Sequence, residues 1–80
     1  MRLKEAIRKR ILNLCDERGI TVNKLATISG ITQSTLNNVI NGRNNSVTVS
    51  TVKKICDGLD ITILQFFDSE VFLDLEQEVK

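Results

Sequence analysis

Eighty residues and 9.0 kDa, 41% hydrophobic and 26% charged, specify one small soluble domain with room for a single surface site. Histidine is absent, which removes the usual neutral-pH acid/base, the commonest metal ligand and every Ser-His or Cys-His nucleophile pair. An enzyme, a cofactor and a metal site are therefore not expected, and net charge is only +1.

Along the chain, Leu3, Ile7, Ile11, Leu14 and Cys15 recur at spacings of three and four, the stripe of an amphipathic helix. Gly19 ends it as a C′ glycine after Arg18. Thr21 caps a second helix through Leu25, Ala26 and Ile28 to a stop at Gly30. Thr32 caps a third, carrying Leu36, Val39 and Ile40, and Asn41-Gly42 ends it. The same Asn-Gly pair is a hairpin signal, but its flanks have helical rather than alternating periodicity.

A polar loop spans 42–47. Thr48 caps a fourth helix with an apolar face of Val49, Val52, Ile55, Cys56 and Leu59. Thr62 and Gln65 have the spacing of a capping box opening a short fifth helix with Ile63, Phe66 and Phe67. From Asp68 the tail allows two readings. Val71, Leu75 and Val79 fit a helix, the preferred reading, whereas Val71, Leu73 and Leu75 alternate as in a strand. Domain limits follow: 1–67 for the bundle, 68–80 for an acidic C-terminal extension.

Both cysteines, Cys15 and Cys56, sit among apolar residues and are expected to be reduced core side chains, Cys15 near Ile40 of the third helix. Two thiols without histidine do not complete a four-ligand zinc site. No stretch approaches the roughly 20 apolar residues of a membrane span, and a cytoplasmic protein with no small-molecule substrate is expected.

Charge is unevenly placed. Residues 1–47 hold eight Lys/Arg against three acids, whereas 48–80 hold three Lys against seven acids. A basic half beside an acidic half suits a polyanion on one face, although a solvated charge pattern gives the same arithmetic.

The segment from Val22 to Asn41 carries the most information. Two short threonine-capped helices flank a turn at Ser29-Gly30-Ile31, with Ala26 small where the helices cross. The inward positions Leu25, Ile31, Leu36 and Val39 leave Gln33, Ser34, Asn37 and Asn38 on or near the outer face. Amides and hydroxyls are the groups that hydrogen-bond base edges in the major groove. A polar face of this kind is also what plain solvent-facing surface looks like.

Leu25-Ala26, Gly30-Ile31, Thr32 to Leu36 and Asn41-Gly42-Arg43, followed by Thr51 to Cys56 and Leu59 to Thr62, resemble the Xre family. These are the Cro/C1-type helix-turn-helix proteins of phage repressors and small bacterial regulators. The resemblance covers about Ile7 to Phe67 and implies an all-α, five-helix bundle of the lambda-repressor-like kind. Its third helix would enter the major groove of double-stranded DNA while the second crosses the backbone.

By position, the resemblance implies base contacts from Gln33, Ser34, Asn37 and Asn38, and phosphate contacts at Thr21, Thr32, Asn41 and Arg43. Two departures stand out. Val22 replaces a polar residue found there in several repressors, and Cys15 with Ile40 replaces an arginine–glutamate pair by apolar side chains.

Homodimerisation is expected through Leu64, Phe67, Phe72 and Leu75, because a bundle of this length buries one side of its fifth helix and leaves Leu64, Phe72 and Leu75 without an obvious core. The expected function is a sequence-specific transcriptional regulator, a repressor acting as a dimer on a palindromic operator. The alternative is a protein-interaction module, an antitoxin or regulator partner, using the same bundle.

Overall fold

Three of the connections between helices are built from the same three residues in kind: a left-handed stop, an isoleucine and a threonine. Gly19-Ile20-Thr21, Gly30-Ile31-Thr32 and Asp60-Ile61-Thr62 each follow this order, with φ of +63°, +68° and +56° at the stop. At each, the isoleucine amide reaches back five residues, to the carbonyls of Cys15 (3.0 Å), Ala26 (3.2 Å) and Cys56 (2.9 Å). These are Schellman closures, which satisfy carbonyls the helix leaves unpaired. All three isoleucine side chains pack on the core. Each threonine then accepts the amide three residues on: Lys24 (3.0 Å), Thr35 (3.1 Å) and Gln65 (3.0 Å).

The computed structural model describes residues 1–42 and 47–79. Among them are five α-helices and no strand: α1 Leu3–Arg18, α2 Val22–Ser29, α3 Gln33–Ile40, α4 Val49–Leu59 and α5 Ile63–Phe67, with a final 3-10 turn at Glu70–Phe72. The all-α expectation and all five helices hold. Thr48 caps α4 by accepting from the Thr51 amide (3.1 Å), and Thr62 forms the expected capping box, Gln65 Oε1 accepting from the Thr62 amide (2.8 Å).

One core joins the helices. Ala6, Ile7, Ile11, Leu14 and Cys15 of α1 meet Leu25 and Ala26 of α2, Leu36 and Val39 of α3, and Val52, Ile55, Cys56 and Leu59 of α4, with Phe66 of α5 fully buried. The broadest helix contact is α2 against α4. The two helices pack closely at Gly58, where an added Cβ would lie 2.6 Å from Ser29 Oγ and 3.0 Å from the Ile28 carbonyl oxygen.

Four apolar assignments need correction, the first being Leu3, which opens α1 and is exposed, the buried stripe beginning at Ala6 and Ile7. Val49 is 72% exposed, because it is the first residue of α4 and the burial stripe begins a turn later at Val52. Ile28 is exposed because Ser29 takes its place on the inner face of α2. At about 100° per residue, Ser29 falls between Leu25 and Ala26, while Ile28 lies at the edge. Ile63 is at the surface too, and Phe66 alone of the α5 side chains is buried.

The tail is not the expected helix. After one 3-10 turn it runs back beside the N-terminus without regular structure. There the Glu76 amide donates to the Met1 carbonyl (2.9 Å), the Met1 ammonium donates to the Asp74 carbonyl (3.4 Å), and Arg2 pairs with Glu78 (3.9 Å). Phe72, expected to lack an intrachain core, has one. Its ring lies 4.9 Å from Phe67 and 6.1 Å from Phe66, centroid to centroid, at the end of the core. Aromatic contacts at these spacings are favourable beyond area alone. They outweigh the helical periodicity of a short acidic segment.

Candidate nucleic-acid interface

The outward face of α3 follows from its inward one. Leu36 and Val39 are buried at 0% and 5% exposure, and they fix which side of an eight-residue helix turns to solvent. Opposite them lies Ser34, with Gln33 and Asn37 on one flank and Asn38 and Thr35 on the other. Gln33, Ser34, Thr35 and Asn37 are exposed, and Asn38 is half-buried. The helix carries no charged side chain, so its face offers hydrogen-bonding groups alone. Uncharged amides and hydroxyls discriminate base edges, whereas cations bind phosphate of any sequence.

Both ends of α3 are fixed. At its N-terminus Thr32 accepts from the Thr35 amide, and its hydroxyl donates to Thr35 Oγ1 (2.8 Å). At the C-terminus Asn41 and Gly42 close the turn onto the carbonyls of Asn37 (2.8 Å) and Val39 (3.3 Å). The Ile40 carbonyl is taken by Arg8 of α1, whose Nε–H donates at 2.7 Å. Cys15 is buried in the core and Ile40 is half-buried against it.

Of the residues expected at phosphates, Thr21, Thr32 and Asn41 are exposed. Thr21 and Thr32 are exposed N-caps whose hydroxyls already hold helix amides. What they bring to an anion is the helix N-terminus behind them, where the first amides lack intrahelical partners. Lys24, exposed in the first turn of α2, adds a cation beside Thr21. Asn41 is exposed at the far end of α3; Arg43 lies outside the described residues.

Two features were missed from sequence. Thr35 shares the outer face, which its place in the Thr32 cap pattern disguised. Arg8 was the other, because nothing in its spacing gave its backbone partner on α3.

The resolved ionisation shifts lie elsewhere. Burial pushes both the Cys15 and Cys56 thiols up, and Lys53 is raised by its α4 neighbour Asp57, with which it pairs. Among the described residues no cluster of three potential metal ligands occurs, and no helix is long and apolar enough to cross a membrane.

Two short helices joined by a left-handed glycine, the second with a buried apolar side and an uncharged polar outer face, constitute a helix-turn-helix. The Cro/C1-type HTH DNA-binding domain matches residues 10–70, and the chain belongs to that family. Among curated relatives, the HTH-type transcriptional repressor RghR of Bacillus subtilis (strain 168) is 33% identical over 57 residues, 71% of this chain and 42% of that protein. The HTH-type transcriptional regulator SlrR of the same organism is 31% identical over 65 residues, 80% of this chain and 43% of that one. The chain thus spans less than half the length of the curated relatives it matches. The crystal structure of the prophage Lp1 protein 11 superposes with a TM-score of 0.79 at 32% identity, covering 88% of this chain and 93% of that one. The chain is therefore a Cro/C1-type HTH DNA-binding domain, similar to segments of two relatives named as transcriptional regulators.

Proposed function

We propose that this chain reads a specific DNA sequence as a repressor, binding a palindromic operator as a homodimer. The observation that carries the reading is the outer face of α3, polar and uncharged, held opposite the buried Leu36 and Val39. Gln33, Ser34, Asn37 and Asn38 meet base edges; Thr21, Thr32, Asn41 and Arg43 meet phosphates on either side. The domain works without catalysis or cofactor, in the cytoplasm. RghR, a relative named as a repressor, supports the sign of regulation.

The dimer is formed by the surface around α5. Leu64 is 83% exposed and adjoins Phe67, with Leu73 beyond Phe72 and Leu75 further along the tail. A two-fold axis there would set the two α3 helices roughly 34 Å apart, one turn of DNA.

Those exposed leucines also favour a second reading, in which the bundle docks on another protein. Selection of bound sequences from a random duplex pool, followed by titration of the winner in rising salt, separates the two. A DNA reader returns a palindromic consensus and an affinity that falls steeply as salt rises. Recovery of no consensus, with salt-insensitive retention of all duplexes, refutes the proposal.

A further inference from the structure

We propose that Arg8 is a positioning residue for the far half of the reading face, a role that rests on the assignment of α3 to DNA reading. An eight-residue helix is well below the roughly 12–15 residues at which isolated helices become marginally stable. Its order comes from the side chains it buries and from its ends. The near end has the Thr32 cap, which fixes the turn bearing Gln33 and Ser34. The far end bears Asn37 and Asn38, and there the Ile40 carbonyl is held by a charged side chain from another helix, Arg8 Nε at 2.7 Å.

A cation at a helix C-terminus meets the negative end of the helix dipole, so charge and hydrogen bond act together. α1 is the long helix of the domain, anchored along its length by Ala6, Ile7, Ile11, Leu14 and Cys15. Arg8 therefore ties the last turn of α3 to the longest helix of the domain. Arg10 does the same for α5, donating to the carbonyls of Phe66 (2.7 Å) and Gln65 (2.8 Å). Two residues apart on a helix, the arginines leave α1 on nearly opposite sides. The two arginines thus act as a pair of struts between α1 and the ends of α3 and α5.

The consequence is a division of labour. Loss of Arg8 loosens the turn carrying Asn37 and Asn38 and leaves the turn carrying Gln33 and Ser34 capped. Discrimination falls at the base positions read from the far half alone.

The experiment compares the wild type with Arg8→Met, Arg8→Lys and the charge-matched control Lys9→Met. The probes are the selected duplex and its single-base variants, scored against Asn37→Ala and Gln33→Ala. Arg8→Met should lower discrimination about two- to tenfold, the worth of one hydrogen bond, at the positions that Asn37→Ala flattens. Positions flattened by Gln33→Ala should keep theirs. Arg8→Lys should recover part of the loss, and Lys9→Met should leave the profile intact.

Amide exchange of Asn41 and Gly42, measured without DNA, should quicken in Arg8→Met while α4 amides stay protected. Equal flattening at both sets of positions would mean a general loss of stability and would overturn the proposal. So would uniform weakening of every duplex with a salt slope reduced by about one, the mark of a phosphate contact. Unchanged exchange at Asn41 and Gly42 overturns it as well. If the wild type shows no sequence preference, DNA reading itself fails; the exchange result then still decides whether Arg8 holds α3.

Discussion

Gly58 of α4 lies against Ser29 of α2 so closely that a methyl group on it would sit 2.6 Å from the serine oxygen and 3.0 Å from the serine Cα. Glycine inside a helix costs about 1 kcal/mol relative to alanine, and here the close approach of two helices makes that cost worthwhile. Ser29 Oγ is buried and has no hydrogen-bond partner among the described residues. Gly58→Ala should therefore destabilise the domain by about 1–3 kcal/mol despite the gain in propensity, because the backbone of α2 has to move. Ser29→Ala should be neutral or stabilising, since it removes an unpaired hydroxyl, and should soften the effect of Gly58→Ala. Urea midpoints of the two single variants and the double variant check this. Additive midpoints would show that the two residues do not press on each other.

Asp60 offers the opposite case. It ends α4 at φ +56°, the one described non-glycine residue in the left-handed region, where α1 and α2 end on glycine. Aspartate tolerates this conformation better than most residues, yet strain remains. Asp60→Gly should raise stability by up to about 1 kcal/mol, and Asp60→Val should lower it by more. Thermal unfolding of both variants decides the sign.

For DNA reading the sharpest variant is Gln33→Ala. It should cost about 1–3 kcal/mol on the preferred duplex and relax one base position, leaving the salt slope unchanged. Competition binding across single-base variants of the operator measures it. A preference profile identical to the wild type would remove Gln33 from the reading face.

The buried thiols make stability depend on alkaline pH. Burial raises the pKa of Cys15 and Cys56 above the ordinary 9.0, so the folded state holds its thiol protons more tightly than the unfolded chain does. Stability is full below the unfolded thiol pKa and declines as pH rises from there through the raised folded values. Wild type should lose stability above pH about 9, and Cys15→Ala with Cys56→Ala should flatten that decline at the cost of a lower plateau. Native labelling by a thiol reagent should be slow at both positions; rapid modification of Cys15 would show a thiol open to solvent.

Leu64→Asp tests the proposed dimer. Sedimentation at micromolar concentration should show a wild-type dimer and a 9.0 kDa variant monomer of unchanged helicity. A wild type that sediments as a monomer would leave Leu64 and Leu73 to another protein.

Much of this fold was legible because local chemistry and global packing agree. The threonine caps, glycine stops and stripes of Leu25, Leu36 and Ile55 each mark an element that the bundle then buries. The errors arose where tertiary contact overrode period. Val71, Leu75 and Val79 keep helical spacing, but Phe72 is drawn to Phe66 and Phe67 and the tail pairs with Met1 and Arg2 instead. Ile28 and Val49 have the composition of core residues without an element to cover them. The polar half of α3 was readable because it is defined by what the other half buries. Arg8 was not, because a side chain that seeks a backbone carbonyl 32 residues away leaves no pattern.

The contacts of Met1 and Arg2 with the stretch from Asp74 to Glu78 bring the two ends of the chain to one corner. A donor and an acceptor fluorophore placed there would sit side by side in the folded domain, whose radius of gyration is 12.1 Å. The same dyes would separate in an unfolded chain of this length, with a radius of gyration of roughly 28 Å. End-to-end energy transfer is thus a built-in gauge of folding. It needs no substitution on α3.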